Sequence, residues 1–217
     1  MTTLAIIGAS GLAREALALV REVGELTPVG VFDDSAAILG ADFDGLPVLG
    51  TVDDSASSTA DLLLVCIGSG ASRHGIVGRL GQLGVPGDRY ATVIDPSVRN
   101  PRGCPVGAGS ILLANVVITA YVKIGQHVVV MPSCVLTHDT ELASFATLAS
   151  GVSLGGGVEI RTGSYIGMNA SVFPRRSIGE YAVVGMGSVV LEDVPPGETW
   201  AGVPARLLRA RTFEASR

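Results

Sequence analysis

Aromatic residues are scarce in this chain of 217 residues, at 5%, and tryptophan occurs once. The core therefore has to be built from aliphatic side chains, not from large rings. An excess of positive charge is also missing: 15 Lys and Arg stand against 20 Asp and Glu, a net charge of −5. With no basic stripe to neutralise phosphates, general nucleic-acid binding is excluded. No apolar run approaches the roughly 18–20 residues of a membrane-spanning helix. Cys66, Cys104 and Cys134 are odd in number and form no CxxC pair or metal-like cluster. They are expected as reduced thiols, and the compartment as cytoplasmic. The first apolar run, Leu4–Ile7, is too short for a secretory leader and reads as a strand running into a glycine turn.

What the chain does have is 29 glycines and 47% hydrophobic residues, with a mean hydropathy of +0.48. Their arrangement is periodic. Every sixth residue from Val106 to Val190 is Val, Leu or Ile, fifteen in succession. The residue four places later is usually small or Val, as at Ser110, Val116, Val122, Val128, Cys134 and Thr140. A strict period of six over about ninety residues describes a triangular parallel β-solenoid. Each hexad supplies a short strand and a corner, three hexads make a coil, and coils stack about 4.8 Å apart. Ile94 keeps the phase and Asn100 breaks it, so an irregular junction is expected between Ile94 and Pro105.

Residues 1–93 read differently, as a small α/β unit with a Rossmann-like parallel sheet. Strands are expected at Leu4–Ile7, Val29–Asp33 and Leu62–Ile67, helices after Gly11 and Gly70, and a last short strand at Tyr90–Ile94. The boundary is drawn at residue 93, with the solenoid and its tail over 94–217. In such a sheet ligands sit beyond the strand C-termini. Gly8-Ala9-Ser10-Gly11 follows a strand and opens a helix, the context for holding a diphosphate on free amides. It is not GxGxxG, because Ala13 and Arg14 stand where a glycine is needed. Asp33 and Asp34, ending the second strand, suit a ribose or a base edge; the bland alternative is an ordinary turn and a solvated acidic loop.

His138 is the candidate for chemistry. Positions 18 away are Ala120 and Gly156, so the ring is expected beside a shallow groove fit for a thin pantetheine arm. Imidazole, with a pKa of about 6.5 in water, is a suitable general base near neutral pH. Asp139 follows directly and can orient it. Gly155-Gly156-Gly157, one coil away, offers a backbone N–H for a developing oxyanion. His74 and His127 read as surface histidines, and Cys134 as core. After the last coil comes Trp200-Ala201-Gly202-Val203-Pro204-Ala205-Arg206, where Arg206 and Arg209 could meet phosphates.

These segments together resemble the sialic acid O-acetyltransferase-like family of two-domain hexapeptide-repeat acyltransferases. The matching stretches are GASGLAREA at 8–16, FDD at 32–34, IGSGASR at 67–73, the hexads with His138-Asp139, Gly156, and AGVPAR at 201–206. The best-understood members are N-acetyltransferases acting on nucleotide-linked 4-amino sugars of the bacillosamine and perosamine type. The resemblance implies a left-handed β-helix, a homotrimer and acetyl-CoA as co-substrate, with no metal. It also implies that His138 and Asp139 are catalytic. Gly8, Ser10, Gly11, Asp33, Asp34, Gly68, Ser69 and Arg73 would bind the nucleotide-linked amino sugar. Gly156, Gly202, Pro204 and Arg206 would bind CoA. Two positions depart from the pattern: Thr147 stands where many members have a second histidine, and Met131 where some have Asn. An O-acetyltransferase on sialic acid or another hydroxyl acceptor, and a non-catalytic nucleotide-sugar scaffold, are the competing readings. A zinc hydratase on a similar β-helix needs three converging histidines, a spacing this chain lacks.

Overall fold

The computed structural model describes residues 1–209. Its N-terminal sheet contains β1 (Thr2–Ile7), β2 (Leu26–Phe32), β3 (Asp42–Phe43), β4 (Leu46–Gly50) and β5 (Leu62–Val65), in the order β3-β4-β2-β1-β5. All neighbours are parallel except β3 and β4. That hairpin is absent from the sequence expectation, although its signal is present. Asp44 and Gly45 both adopt positive φ, 53° and 79°, the pair a tight type I′ turn requires.

Helix α1 (Gly11–Val23) buries Leu12, Ala13, Ala16, Leu17, Leu19 and Val20, one stripe at helical spacing. Ser10 caps it by accepting the Ala13 N–H, and Gly24 closes it in the left-handed region at φ 72°. Helix α2 spans Gly70–Gln82 and is capped by Ser69. The strand expected at Tyr90–Ile94 is not a member of this sheet. Tyr90 makes one isolated bridge to Leu63, and Val93–Ile94 opens the solenoid instead.

The hexads form three parallel sheets, each residue pairing with the one 18 positions on. Face 1 runs from Val93–Ile94 through Ile111–Leu112, Val129–Val130, Thr147–Leu148, Tyr165–Ile166 and Val183–Val184 to the hairpin Thr199–Gly202 and Ala205–Arg209. Face 2 stacks the strands from Val117–Ile118 to Val189–Val190, and Face 3 those from Lys123–Ile124 to Ser177–Ile178. The periodic aliphatics point inward, and Ile118, Leu136, Leu148, Ile166 and Val184 are fully buried. The stretch from Ile94 to Pro105 keeps the backbone phase. Arg99 bridges Val117 and Val106 bridges Ile124, so Asn100 costs the coil an inward aliphatic but not its register.

A second periodicity lies at the corners. Every sixth residue from Gly109 to Gly187 adopts positive φ, between 53° and 75°, and most are Gly, Asn or Asp. This is the left-handed region that other residues avoid at a cost of about 1–2 kcal/mol. Asp139 occupies such a corner slot, at φ 59°.

The bulky exceptions are concentrated on the corner between Faces 3 and 1, where ring packing offsets the strain. His127 and Phe145 stack at 5.2 Å with planes 2° apart, and Tyr90 meets His127 edge-on at 4.6 Å. One coil further Gly163 supplies no side chain, and His74 of α2 lies between Phe145 and Tyr181, with centroids at 4.5 and 6.4 Å. His74 Nδ1 is hydrogen-bonded to the Tyr181 hydroxyl at 2.7 Å. The column thus docks α2 on the solenoid. Inner residues of the sheet and α1 share a further apolar cluster with Ile111, Leu113 and Val129.

His127, expected at the surface, is 4% exposed. Burial, with the Arg73 guanidinium adding to it, holds its imidazole down at about 4. The unfolded chain titrates it near 6.5, so between these values the unfolded state binds more protons. The stability that neutral His127 confers is present above about pH 6.5 and is lost as pH falls toward 4, by up to roughly 3 kcal/mol. Melting temperatures at pH 7 and 4.5 should diverge strongly for the wild type and less for His127→Phe. Equal acid sensitivity in the two would contradict this assignment. No helix among the described residues is long and apolar enough to cross a membrane.

Candidate active site

His138 follows Leu136 on the corner between Faces 2 and 3. Its Nδ1 lies 2.7 Å from Asp139 Oδ2. An ionised carboxylate only accepts, so in the neutral ring Nδ1 carries the proton and Nε2 is the acceptor. Both side chains are about two-thirds exposed, at 67% and 61%. The ring lies over Gly156 of the next coil. A Cβ at that position would sit 2.5 Å from both Cε1 and Nε2, so only glycine fits beneath the imidazole. The Gly156 amide donates to no acceptor among the described residues, whereas Gly157 N–H is taken by the His138 carbonyl at 2.8 Å. Below this glycine shelf Phe173 and Leu191 stand 56% and 45% exposed. Large apolar residues at outward slots of a hexad were the available signal for this rail, and it went unread.

A cleft of about 540 Å³ opens elsewhere, between the loops of the α/β unit and Face 1. Ser10, Gly11, Leu12 and Gly68 form one wall; Val129, Met131, Thr147, Ala149, Tyr165, Met168 and Met186 are on the solenoid side. Within one chain this cleft and His138 do not meet. The cleft follows Face 1 and its corner with Face 2, while His138 occupies the far edge of Face 2.

Residues 3–80 match the family model of the PglD N-terminal domain. The acetyltransferase domain of PglB from Neisseria gonorrhoeae, solved with acetyl coenzyme A, is 28% identical, with a TM-score of 0.85 over 95% of this chain and 99% of that one. A histidine-to-alanine mutant of GDP-perosamine N-acetyltransferase from Caulobacter crescentus, solved with CoA and GDP-perosamine, is 27% identical, with a TM-score of 0.86 over 94% of this chain and 96% of that one. This chain shares the two-domain fold of these hexapeptide-repeat acetyltransferases, and its first unit resembles the PglD N-terminal domain. Its solenoid is accordingly the left-handed parallel β-helix. Galactoside O-acetyltransferase from Escherichia coli is 28% identical over 131 residues, 56% of this chain and 64% of that protein. A putative acetyltransferase from Schizosaccharomyces pombe is 32% identical over 123 residues, 55% of this chain and 59% of that one. The chain thus spans less than two thirds of the length of these curated relatives.

Within this chain several residues expected to contact ligands are engaged by the protein itself. In the first glycine turn the Gly8 and Ala9 amides are taken, by the Phe32 carbonyl and Asp33 Oδ2, each at 2.8 Å, whereas those of Ser10 and Gly11 donate to no acceptor among the described residues. Ser10 caps α1 and donates to the Cys66 carbonyl at 2.6 Å. Asp34 accepts from Val52 N–H and pairs with Arg79 at 2.7 Å, which together outweigh its partial burial and lower its carboxyl. Gly8 holds φ 96°, and a Cβ there would run into Ile67.

Arg73 is the clearest correction. Expected on the acceptor loop, it is fully buried, and its donors are taken up by five backbone carbonyls and Thr147. Burial lowers its guanidinium to about 10. It binds protein, not ligand.

At the C-terminal hairpin the Gly202 amide donates to Ser188 Oγ at 3.1 Å, and Pro204 follows a cis peptide bond. Arg206 lies 3.4 Å from Glu192. Glu192 is in the His138 column, three coils on, about 14 Å along the corner at the usual interstrand spacing. Arg209, in contrast, faces a different cleft with Tyr165 and Tyr181. The three cysteines are buried and unpaired. Cys134 points into the prism, and burial pushes its thiol up to about 11. Among the described residues no three His, Cys, Asp or Glu side chains gather as a metal site.

Proposed function

We propose that the protein transfers the acetyl group of acetyl-CoA to the 4-amino group of a nucleotide-linked amino sugar. The observation that carries this is the His138–Asp139 pair lying over Gly156 on an exposed corner of the solenoid. The relatives solved with acetyl coenzyme A, or with CoA and GDP-perosamine, support it.

His138 Nε2 takes the proton of the acceptor nitrogen as that nitrogen attacks the thioester carbon. The C–N bond forms, the C–S bond breaks, and CoA leaves as its thiol after receiving a proton. Asp139 holds the ring and stabilises imidazolium. The Gly156 N–H meets the developing oxyanion. The pantetheine arm follows the glycine shelf past Phe173, with Arg206, Gly202 and Pro204 toward its phosphate end. The acceptor occupies the cleft beside Gly11, Gly68, Ser69 and the Asp33–Asp34 turn. The amine is itself the nucleophile, so no enzyme-bound acyl intermediate is needed. The reading places the enzyme in the cytoplasm.

The acceptor cleft and His138 lie on opposite edges of Face 2, so a complete site requires a second copy. A threefold assembly with Face 2 inward brings the Met168–Met186 corner of one protomer to the His138 corner of the next. Exposed Met168, Met186, Phe173 and Leu191 border that face on both edges, as a buried contact would require.

The test is free-thiol release from acetyl-CoA with UDP-, GDP- and dTDP-linked 4-amino sugars. Release dependent on one of them is expected and would name the nucleotide. The relative galactoside O-acetyltransferase favours a second reading, transfer to a hydroxyl. Silence with amino sugars and release with hydroxyl acceptors would replace the first reading by the second.

A further inference from the structure

Arg73 is a buried cation that pairs with no carboxylate among the described residues; every acceptor recorded for it is a carbonyl or a hydroxyl. So deep an ion persists only where its surroundings satisfy it fully. Its acceptors fall into two groups from different parts of the fold. On the solenoid they are the carbonyls of His127, Phe145 and Ala146, at 3.0, 2.8 and 3.0 Å. On the loop between β5 and α2 they are the carbonyls of Ile67 and Gly68, at 2.7 and 2.9 Å.

Thr147 joins the two groups. Its Oγ1 accepts from Arg73 at 2.9 Å and donates to the Gly68 carbonyl at 3.0 Å. Thr147 and Gly68 both line the 540 Å³ cleft, one from the solenoid and one from the α/β unit. The seam of that cleft is therefore closed by a single hydroxyl, backed by a buried guanidinium. In a planar trans peptide the N–H points opposite to the preceding carbonyl. With the Ile67 and Gly68 carbonyls held by Arg73, the amides of Gly68 and Ser69 face away from it. Neither amide donates to an acceptor among the described residues.

We infer that Thr147, backed by Arg73, is a positioning residue for the acceptor: it fixes where the Gly68 amide stands on the cleft wall. This rests on the reading of that cleft as the acceptor site. Thr147→Val keeps the shape and removes both hydroxyl bonds. It leaves no buried group orphaned, because Arg73 Nη2 retains the Phe145 and Ala146 carbonyls and Gly68 O retains Arg73 Nη1. The fold should persist, and Thr147→Ser should restore the seam.

For Thr147→Val the acceptor KM is expected to rise about tenfold, the scale of one or two lost hydrogen bonds. The acetyl-CoA KM should stay within about twofold and kcat within about threefold, and Thr147→Ser should return the acceptor KM to near wild type. In the protein without ligands, hydrogen exchange over residues 66–74 should quicken in Thr147→Val and not in the strands of Face 1. An unchanged acceptor KM, a parallel rise in the acetyl-CoA KM, no rescue by Ser, or unchanged exchange in the loop would each overturn the inference. A wild type silent with every acceptor would refute the acceptor reading instead; the exchange experiment would still decide the positioning of the loop.

Discussion

His138→Ala should lower turnover at least about 100-fold, the scale of removing a positioned general base. The loss should fall on kcat, with little change in either KM, because the surface under the ring is backbone. Gly156, Gly157 and their neighbours keep their ladder bonds when the imidazole is gone. The melting temperature should hardly move, since the ring is two-thirds exposed and its one recorded hydrogen bond is to Asp139, equally exposed. Asp139→Asn should give a smaller loss than His138→Ala, because an amide can still accept from Nδ1 but does not stabilise imidazolium. Near-normal turnover in His138→Ala would remove the base assignment altogether and shift attention to direct attack by a deprotonated acceptor.

Arg73→Met should be the most damaging substitution to stability outside the aliphatic core. The Ala146 carbonyl keeps its ladder bond to Val129 N–H, and the Gly68 carbonyl keeps Thr147. The carbonyls of Ile67, His127 and Phe145 have no other donor among the described residues. Two buried acceptors and a part-buried one left unpaired should cost on the order of 3–5 kcal/mol, given about 1–3 for each and partial relaxation. For a chain of this size that corresponds to a fall of roughly 10 °C in Tm. Arg73→Lys should recover only part of this, because three donors on one nitrogen cannot reach two elements at once. Since the guanidinium ties α2 and its preceding loop to the solenoid, limited proteolysis of Arg73→Met should cut near residues 83–92 before the coils are lost. A variant as stable as the wild type would mean that the junction is held by the ring column of His74, Phe145 and Tyr181 alone.

The solenoid was legible from Val106 to Val190 because its rule is local and repeats: one inward aliphatic every six residues, with the same neighbours each time. The corner rule was equally legible in Gly109, Asn115, Asp139, Gly151, Gly157, Gly163, Asn169 and Gly187, residues that tolerate positive φ. It was not read, and with it the conformational reason for Asp139 was missed. The His138–Gly156 contact followed from counting 18 residues. The Asp44-Gly45 turn was a signal overlooked, and Tyr90–Ile94 was misassigned because two residues of strand cannot announce which sheet they will join.

Arg73 was misjudged for a different reason. An arginine one turn into a helix after a glycine loop looks like a ligand-binding cation, and nothing local says otherwise. Its four solenoid partners lie 54 to 74 residues away, on corners of coils that are indistinguishable in sequence from their neighbours. Thr147 likewise reads as a missing histidine until its hydroxyl is seen between Arg73 and Gly68.

By itself, then, the sequence determined the coil, its register, the inward residues and the His138–Asp139–Gly156 corner, since each depends on a short repeating distance along the chain. Only the tertiary structure decided which face of the prism receives the α/β unit. That choice made Arg73 a buried tie, turned Asp33 and Asp34 onto protein partners, and set the 540 Å³ cleft and His138 on opposite edges of one face. It rests on the shape and charge of surfaces far apart in the chain, where no period records it.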